Sequence, residues 1–171
     1  MKKSIILSAL VAAVFGTATT VSAQVSATAT ATATIVTPIS ITKTVDMNFG
    51  NVAVDGATAG TVVLAPGGTR TSTGGVTLPS TAGTVTAASF TVNGTGAYTY
   101  SITLPSTAVS LSDGASHTMT VTTFASNPSG TGTLTAGTQT LNVGATLNVG
   151  AGQAAGTYTS GTPFSVTVNY N

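Results

Sequence analysis

Apolar residues return at every second position in segment after segment of this chain, the period that puts them on one face of a β-strand. Ile35, Ile39 and Ile41 open the series, followed by Phe90 and Val92, by Tyr98, Tyr100, Ile102 and Leu104, and by Met119 and Val121. Leu141, Val143, Ala145, Leu147 and Val149 come next, and Phe164, Val166, Val168 and Tyr170 close it. No segment after residue 23 sustains a 3.6-residue period and Glu is absent, so little or no helix is expected there. Turn chemistry separates the runs at Pro66-Gly67-Gly68, Gly74-Gly75, Asn93-Gly94, Asp113-Gly114, Asn127-Pro128-Ser129-Gly130 and Ser160-Gly161. Short strands punctuated in this way predict an all-β fold, a single immunoglobulin-like or Greek-key β-sandwich over residues 36–171. Asn93-Gly94 predicts a hairpin between Phe90–Val92 and Tyr98–Tyr100, with Thr95-Gly96 lengthening its loop. Tyr98, Tyr100 and Ile102 share a strand face, which points to core packing.

Two stretches are low in complexity. Ala27 to Thr34 repeats Ala-Thr, which reads as a strand with a thin apolar edge or as a flexible leader. Leu141-Asn142-Val143-Gly144-Ala145-Thr146 is nearly repeated by Leu147-Asn148-Val149-Gly150-Ala151-Gly152. A β-helix needs many such turns to bury a core, so two copies read as one local strand pattern.

The first 23 residues have another logic. Lys2 and Lys3 form a basic start, Ile5 to Phe15 an apolar core, and Val21-Ser22-Ala23 a small-residue cleavage site before Gln24. That order is a secretory signal peptide. Its apolar core falls short of the roughly 20 residues a membrane span requires. With no cysteine, a lipid-modified cysteine is excluded. The expected product is exported through the Sec pathway to the periplasm, the cell surface or the medium, with no transmembrane segment in the mature chain.

Removal of that segment changes the charge. It leaves Lys43 and Arg70 against Asp46, Asp55 and Asp113, a net charge of −1. A surface so nearly neutral lacks the basic stripe that nucleic acid demands and the polybasic patch that holds acidic lipid. Disorder is excluded too, because hydrophobic residues make up 42% of the chain and the polar remainder is largely Thr, Ser and Asn. Thr suits the solvent face of a pleated sheet. Such an exterior also lacks the charge that keeps strand edges apart.

Catalytic constellations are missing. His117 is the single histidine, Gly-x-Ser-x-Gly does not occur, and Asp46, Asp55 and Asp113 each sit beside turn residues. Neither acyl transfer nor paired-carboxylate chemistry is indicated. Zinc wants clustered Cys and His, and calcium several carboxylates in one loop; the chain offers neither. The glycine-rich stretches lack the Lys and the following helix of a phosphate loop. Tyr98, Tyr100, Tyr158 and Tyr170 could stack on sugars, but with aromatics at 5% and no Trp a carbohydrate platform is not favoured. No cofactor and no enzymatic activity are expected.

Asp46-Met47-Asn48-Phe49-Gly50-Asn51-Val52 resembles the acidic-x-x-Phe-Gly-x-Val opening of the bacterial secreted family called domain of unknown function 4402. The preceding Ala33 to Ile41, the Gly74-Gly75-Val76 turn, Phe90 to Gly94, and Ala155-Gly156-Thr157-Tyr158 leading into Phe164 to Tyr170 agree in order. The family is similar to pilin-like and spore-coat-U-like sandwiches, and it supplies no catalytic residue. The ending, with Phe164, Val166, Val168 and Tyr170, resembles the last strand of chaperone-usher pilins. That likeness implies self-assembly into fibres, with a periplasmic chaperone and an outer-membrane usher as partners. It also implies a donor strand at residues 24–35 that presents Ala27, Ala29, Ala31, Ala33 and Ile35. Pairing of this segment in cis, as the domain's own first strand, is equally compatible with the pattern. The expectation is a noncatalytic structural or adhesive surface protein; the alternative is a monomeric secreted module that binds glycan or protein.

Overall fold

The computed structural model describes residues 23–171, so the expected signal peptide lies, except for Ala23, outside the described residues. The chain divides after Thr34, and Ile35–Asn171 is a compact unit by itself. Residues 23–34 carry no strand and are exposed throughout.

The unit from Ile35 is all-β. Its strands are β1 (Ser40–Val45), β2 (Ala53–Val54), β3 (Gly60–Leu64), β4 (Arg70–Gly74), β5 (Val76–Thr77), β6 (Ala88–Asn93) and β7 (Thr99–Thr103). They continue with β8 (Val109–Ser112), β9 (Thr118–Asn127), β10 (Thr131–Thr133), β11 (Thr138–Val149), β12 (Thr159–Ser160) and β13 (Thr167–Tyr170). An eight-stranded antiparallel sheet runs β1-β6-β11-β9-β8-β12, with β3 paired to β11 and β4 to β3; a three-stranded sheet runs β10-β7-β13, and β2 pairs with β5.

The twelve residues of β11 organise the large sheet. Along one edge, Thr138–Val143 pairs with β6 and then Ala145–Val149 pairs with β3. Along the other edge β9 follows both halves. The sheet therefore forks at Gly144. A Cβ there would overlap the carbonyl oxygen of Leu64 and crowd Ala65 and Pro66, so only glycine lets the end of β3 pass.

The fork divides the interior. Leu141 and Val143 belong to one core with Ala88, Phe90, Val92, Tyr100, Leu134 and Val168, so the three-stranded sheet closes over this half as a sandwich. Ala145, Leu147 and Val149 belong to a second core with Phe49, Val62, Leu64, Val76 and Val121. Both copies of the Leu-Asn-Val-Gly pattern thus lie on one strand face, one facing each core, as a local strand pattern and not a solenoid.

A bulge couples the two cores. The register of β9 against β11 shifts between Gly144 and Thr146, opposite Thr123, whose φ of 52° is rare for a β-branched residue. The inward parity changes from Met119 and Val121 to Phe124, which packs on both cores and meets the Phe164 ring at 5.0 Å. In the closed core, Tyr100 is fully buried and its hydroxyl donates to Gln139 Oε1 at 2.8 Å. Desolvation pushes its pKa up.

The outer face of the large sheet is uncharged along its central rows. Thr73, Thr61, Asn148, Thr120 and Ser110 lie side by side across five strands. The Thr61 and Thr73 hydroxyls meet at 2.7 Å, and Asn148 Nδ2 donates to Thr122 Oγ1 at 3.0 Å.

Three expectations need correction. The segment between Asn93 and Thr99 is not a hairpin: β6 pairs with β1 and β11, whereas β7 pairs with β10 and β13. Phe90, Val92 and Tyr100 all point into the same core, so the chain must arch from one sheet to the other to place them there. Tyr98 precedes β7, is 47% exposed and tilts over Tyr170 at 5.6 Å instead of sharing the buried face of Tyr100. The terminal strand begins at Thr167, later than Phe164, although Phe164 and Val166 still pack inward.

Gly144→Val should destabilise the domain by about 1–3 kcal/mol or more, the overpacking range, because the end of β3 cannot retreat without leaving β11. Urea denaturation of the variant beside the parent chain measures it.

Candidate functional site

The most densely bonded segment is Asp46 to Val52. It runs beside the chain that leads into β6: Asn48 exchanges backbone bonds with Thr86 at 2.8 and 3.0 Å, and the Asn51 amide donates to the Ala82 carbonyl at 2.7 Å. Asn48 Oδ1 accepts from the Gly50 amide at 2.8 Å, an Asx turn that brings Gly50 to a φ of 68°. A side chain at Gly50 would overlap the Ala82 carbonyl oxygen and press on Val85. Phe49 enters the second core.

Arg70, at the start of β4, locks this turn. Its guanidinium donates to the carbonyls of Phe49, of Asn51 at 2.8 Å and of Ala82 at 3.4 Å. No carboxylate accepts from it. A planar fork with several fixed donors can span three carbonyls where an ammonium cannot. The motif is therefore a clasp joining two loops, and its chemistry is structural.

The ionisable residues are scattered. Asp46 pairs with Lys43 at 2.6 Å, both well exposed. Asp55 Oδ1 accepts from the Ala57 amide at 2.6 Å in its own turn. Asp113 Oδ2 meets His117 Nδ1 at 2.6 Å across the β8–β9 turn. Its carboxyl is held below the usual range by the His117 ring first, then by the Ala115 amide. Among the described residues the His117 ring is hydrogen-bonded to Asp113 and to no hydroxyl. Among the described residues no three His, Cys, Asp or Glu gather as a metal would require.

A cleft of about 1050 Å³ lies over the second core. The three-stranded sheet covers only the first core, which leaves this half partly open. The floor comes from Val109 and Leu111 of β8, Met119 and Val121 of β9, and Leu147 and Val149 of β11. One wall is residues 46–54 with Met47, Val52 and Val54; the other is residues 153–164 with Tyr158 and Phe164. The second wall is tied internally, since Tyr158 Oη donates to the Ala154 carbonyl at 2.8 Å and accepts from Gln153 Nε2 at 2.9 Å. The only charged lining residues are Lys43 and Asp46, which neutralise each other at one mouth.

The nine residues expected to take part in assembly separate into two groups. Phe164, Val166, Val168 and Tyr170 come together on the closed core. Tyr170 also pins the entry of the domain, its hydroxyl donating to the Thr37 carbonyl at 2.9 Å and accepting from the Thr95 amide at 2.7 Å. Ala27, Ala29, Ala31 and Ala33 lie in the strandless stretch before Ile35, and Ile35 is 94% exposed. The cleft and the Arg70 clasp were not anticipated. Arg70 could have been suspected as the lone arginine, but only the fold brings its three carbonyls together.

These features define a class: an all-β sandwich whose open half is held by an arginine-locked Phe-Gly turn. The chain belongs to the family described as Domain of unknown function (DUF4402), whose model matches residues 39–170. No curated protein and no solved structure matches the chain.

Arg70→Met and Arg70→Lys should each cost about 1–3 kcal/mol, because hydrogen bonds from a charged donor to partly buried carbonyls are lost and lysine cannot span all three. Equal losses in urea denaturation support the clasp; full retention by Arg70→Lys contradicts it. For Asp113 the depressed folded-state pKa means a contribution present above the ordinary carboxylate range and lost as pH falls through the folded value. The stability gap between the parent chain and Asp113→Asn should therefore be small and should close as pH falls below about pH 4. Thermal denaturation across that range reads it.

Proposed function

We propose that this protein is a noncatalytic structural or adhesive subunit of a bacterial surface, exported through the Sec pathway, that assembles with copies of itself by strand addition through residues 24–35. The observation that carries the reading is the N-terminal segment. Val25, Ala27, Ala29, Ala31, Ala33 and Ile35 occupy alternate positions, so an extended chain puts all six on one face. Val25 and Ile35, at its two ends, are 93% and 94% exposed. An apolar face left in water is a cost that pairing with another sheet removes.

The neutral exterior supports the same reading, since no like-charge repulsion opposes contact between copies. So does the ionisable chemistry, where each carboxylate is engaged by its own turn or neighbour. The open cleft gives some support to a second reading, a monomeric secreted module that binds glycan or protein. A monodisperse monomer with a saturable ligand would decide for it.

Deleting residues 24–34 from the exported chain should leave a folded monomer and abolish fibres seen by electron microscopy of sheared material. Fibres that persist unchanged would overturn the donor assignment.

A further inference from the structure

We infer that the cleft over the second core is the acceptor for residues Val25–Ile35 of a second copy of this chain. The inference rests on the self-assembly reading and adds the receiving site. Four observations carry it.

The first is backbone supply. Both walls contain a strand with an unpaired side: β2 pairs only with β5, and β12 ends the order of the large sheet. An open strand edge in each wall suits an extended peptide better than a compact ligand.

The second is shape. Val121, Leu147 and Val149 in the floor are already 4%, 3% and 5% exposed, so little of their surface is left for an occupant to cover. Small alanines suit a floor already so well covered, and the larger Val25 and Ile35 fall at the ends of the segment. Extended, the segment spans about 33 Å at roughly 3.3 Å per step.

The third is charge. No side chain of residues 25–35 is charged, and the cleft carries only the self-compensated Lys43 and Asp46, so insertion of these side chains desolvates no unpaired ion. The outward positions Ser26, Thr28, Thr30, Thr32 and Thr34 then continue the hydroxyl-rich exterior.

The fourth is polarity. The domain begins beside the Thr138 end of β11, since Ser40 and Thr138 both pair with Asn93. The cleft lies at the Val149 end. Giver and receiver at opposite ends make a head-to-tail contact that does not close, which generates an open filament.

The absence of cysteine makes the test specific. Four single variants, Ala27→Cys, Ala29→Cys, Ala31→Cys and Ala33→Cys, are each mixed with Val109→Cys and oxidised. At least one mixture should give a heterodimer far in excess of either variant alone. The doubly exposed variant Val25→Asp/Ile35→Asp should weaken association tenfold or more with an unchanged urea transition. Association that survives this variant, with no mixed disulfide, overturns the cleft while leaving self-assembly intact. A monomeric disulfide in dilute Ala29→Cys/Val109→Cys overturns the second copy as occupant, because the segment then folds onto its own chain. A parent chain that stays monomeric at all concentrations overturns the underlying reading as well.

Discussion

One edge of one strand has two partners, and the rest of the molecule follows from that sharing. Strands in a sheet lie about 4.8 Å apart, so β6 and β3 cannot both occupy the same stretch of β11. They take successive halves and part at Gly144. The interior divides with them. A three-stranded sheet suffices to close one half, and the other half is left to a short ribbon, a buried Phe49 and two irregular walls. The opening over the second core is thus a direct product of the fork and not a local defect.

An open half must be held by something other than a facing sheet. Arg70 does this through backbone carbonyls, which fixes the Phe49 turn without introducing a counter-charge. The neutrality of the molecule and the rigidity of the cleft wall have a common source here. The one arginine outside the exterior's hydroxyl lattice is consumed internally, and Lys43 and Asp46 cancel. Apart from Asp55 and the Asp113–His117 pair, each in a turn, the exterior that remains on the central strands is hydroxyl and amide.

Alternation made much of the fold legible. Leu141 to Val149 gave a single inward face, Pro66-Gly67-Gly68 gave the β3–β4 turn, and Asp46 to Val52 gave the family. What escaped was non-local. Asn93-Gly94 carries a hairpin signal, but whether two adjacent runs pair or face each other depends on strands elsewhere that compete for the same edges. The parity change at Thr123 hid Phe124, because a bulge breaks the period on which pattern reading depends. The candidate site was half visible: alternation marked Val168 and the alanines as apolar faces, yet the cleft draws on three strands and two loops far apart in sequence.

The doubled hexapeptide in β11 creates a folding hazard of its own. Sliding this strand by six residues preserves its facing, since the slip is even; it delivers Leu147 and Val149 to the closed core and Gly150 to the fork, but Gln153 and Ala155 to the second core in place of Leu147 and Val149. Burial in the closed core therefore discriminates poorly between the two registers, and the second core discriminates by the Gln153 it would have to bury. The bond from the buried Tyr100 hydroxyl to Gln139 does discriminate, because the residue six places on is Ala145, which accepts nothing through its side chain. One side-chain hydrogen bond in the closed core thus acts as a proofreading contact for the alignment of the longest strand.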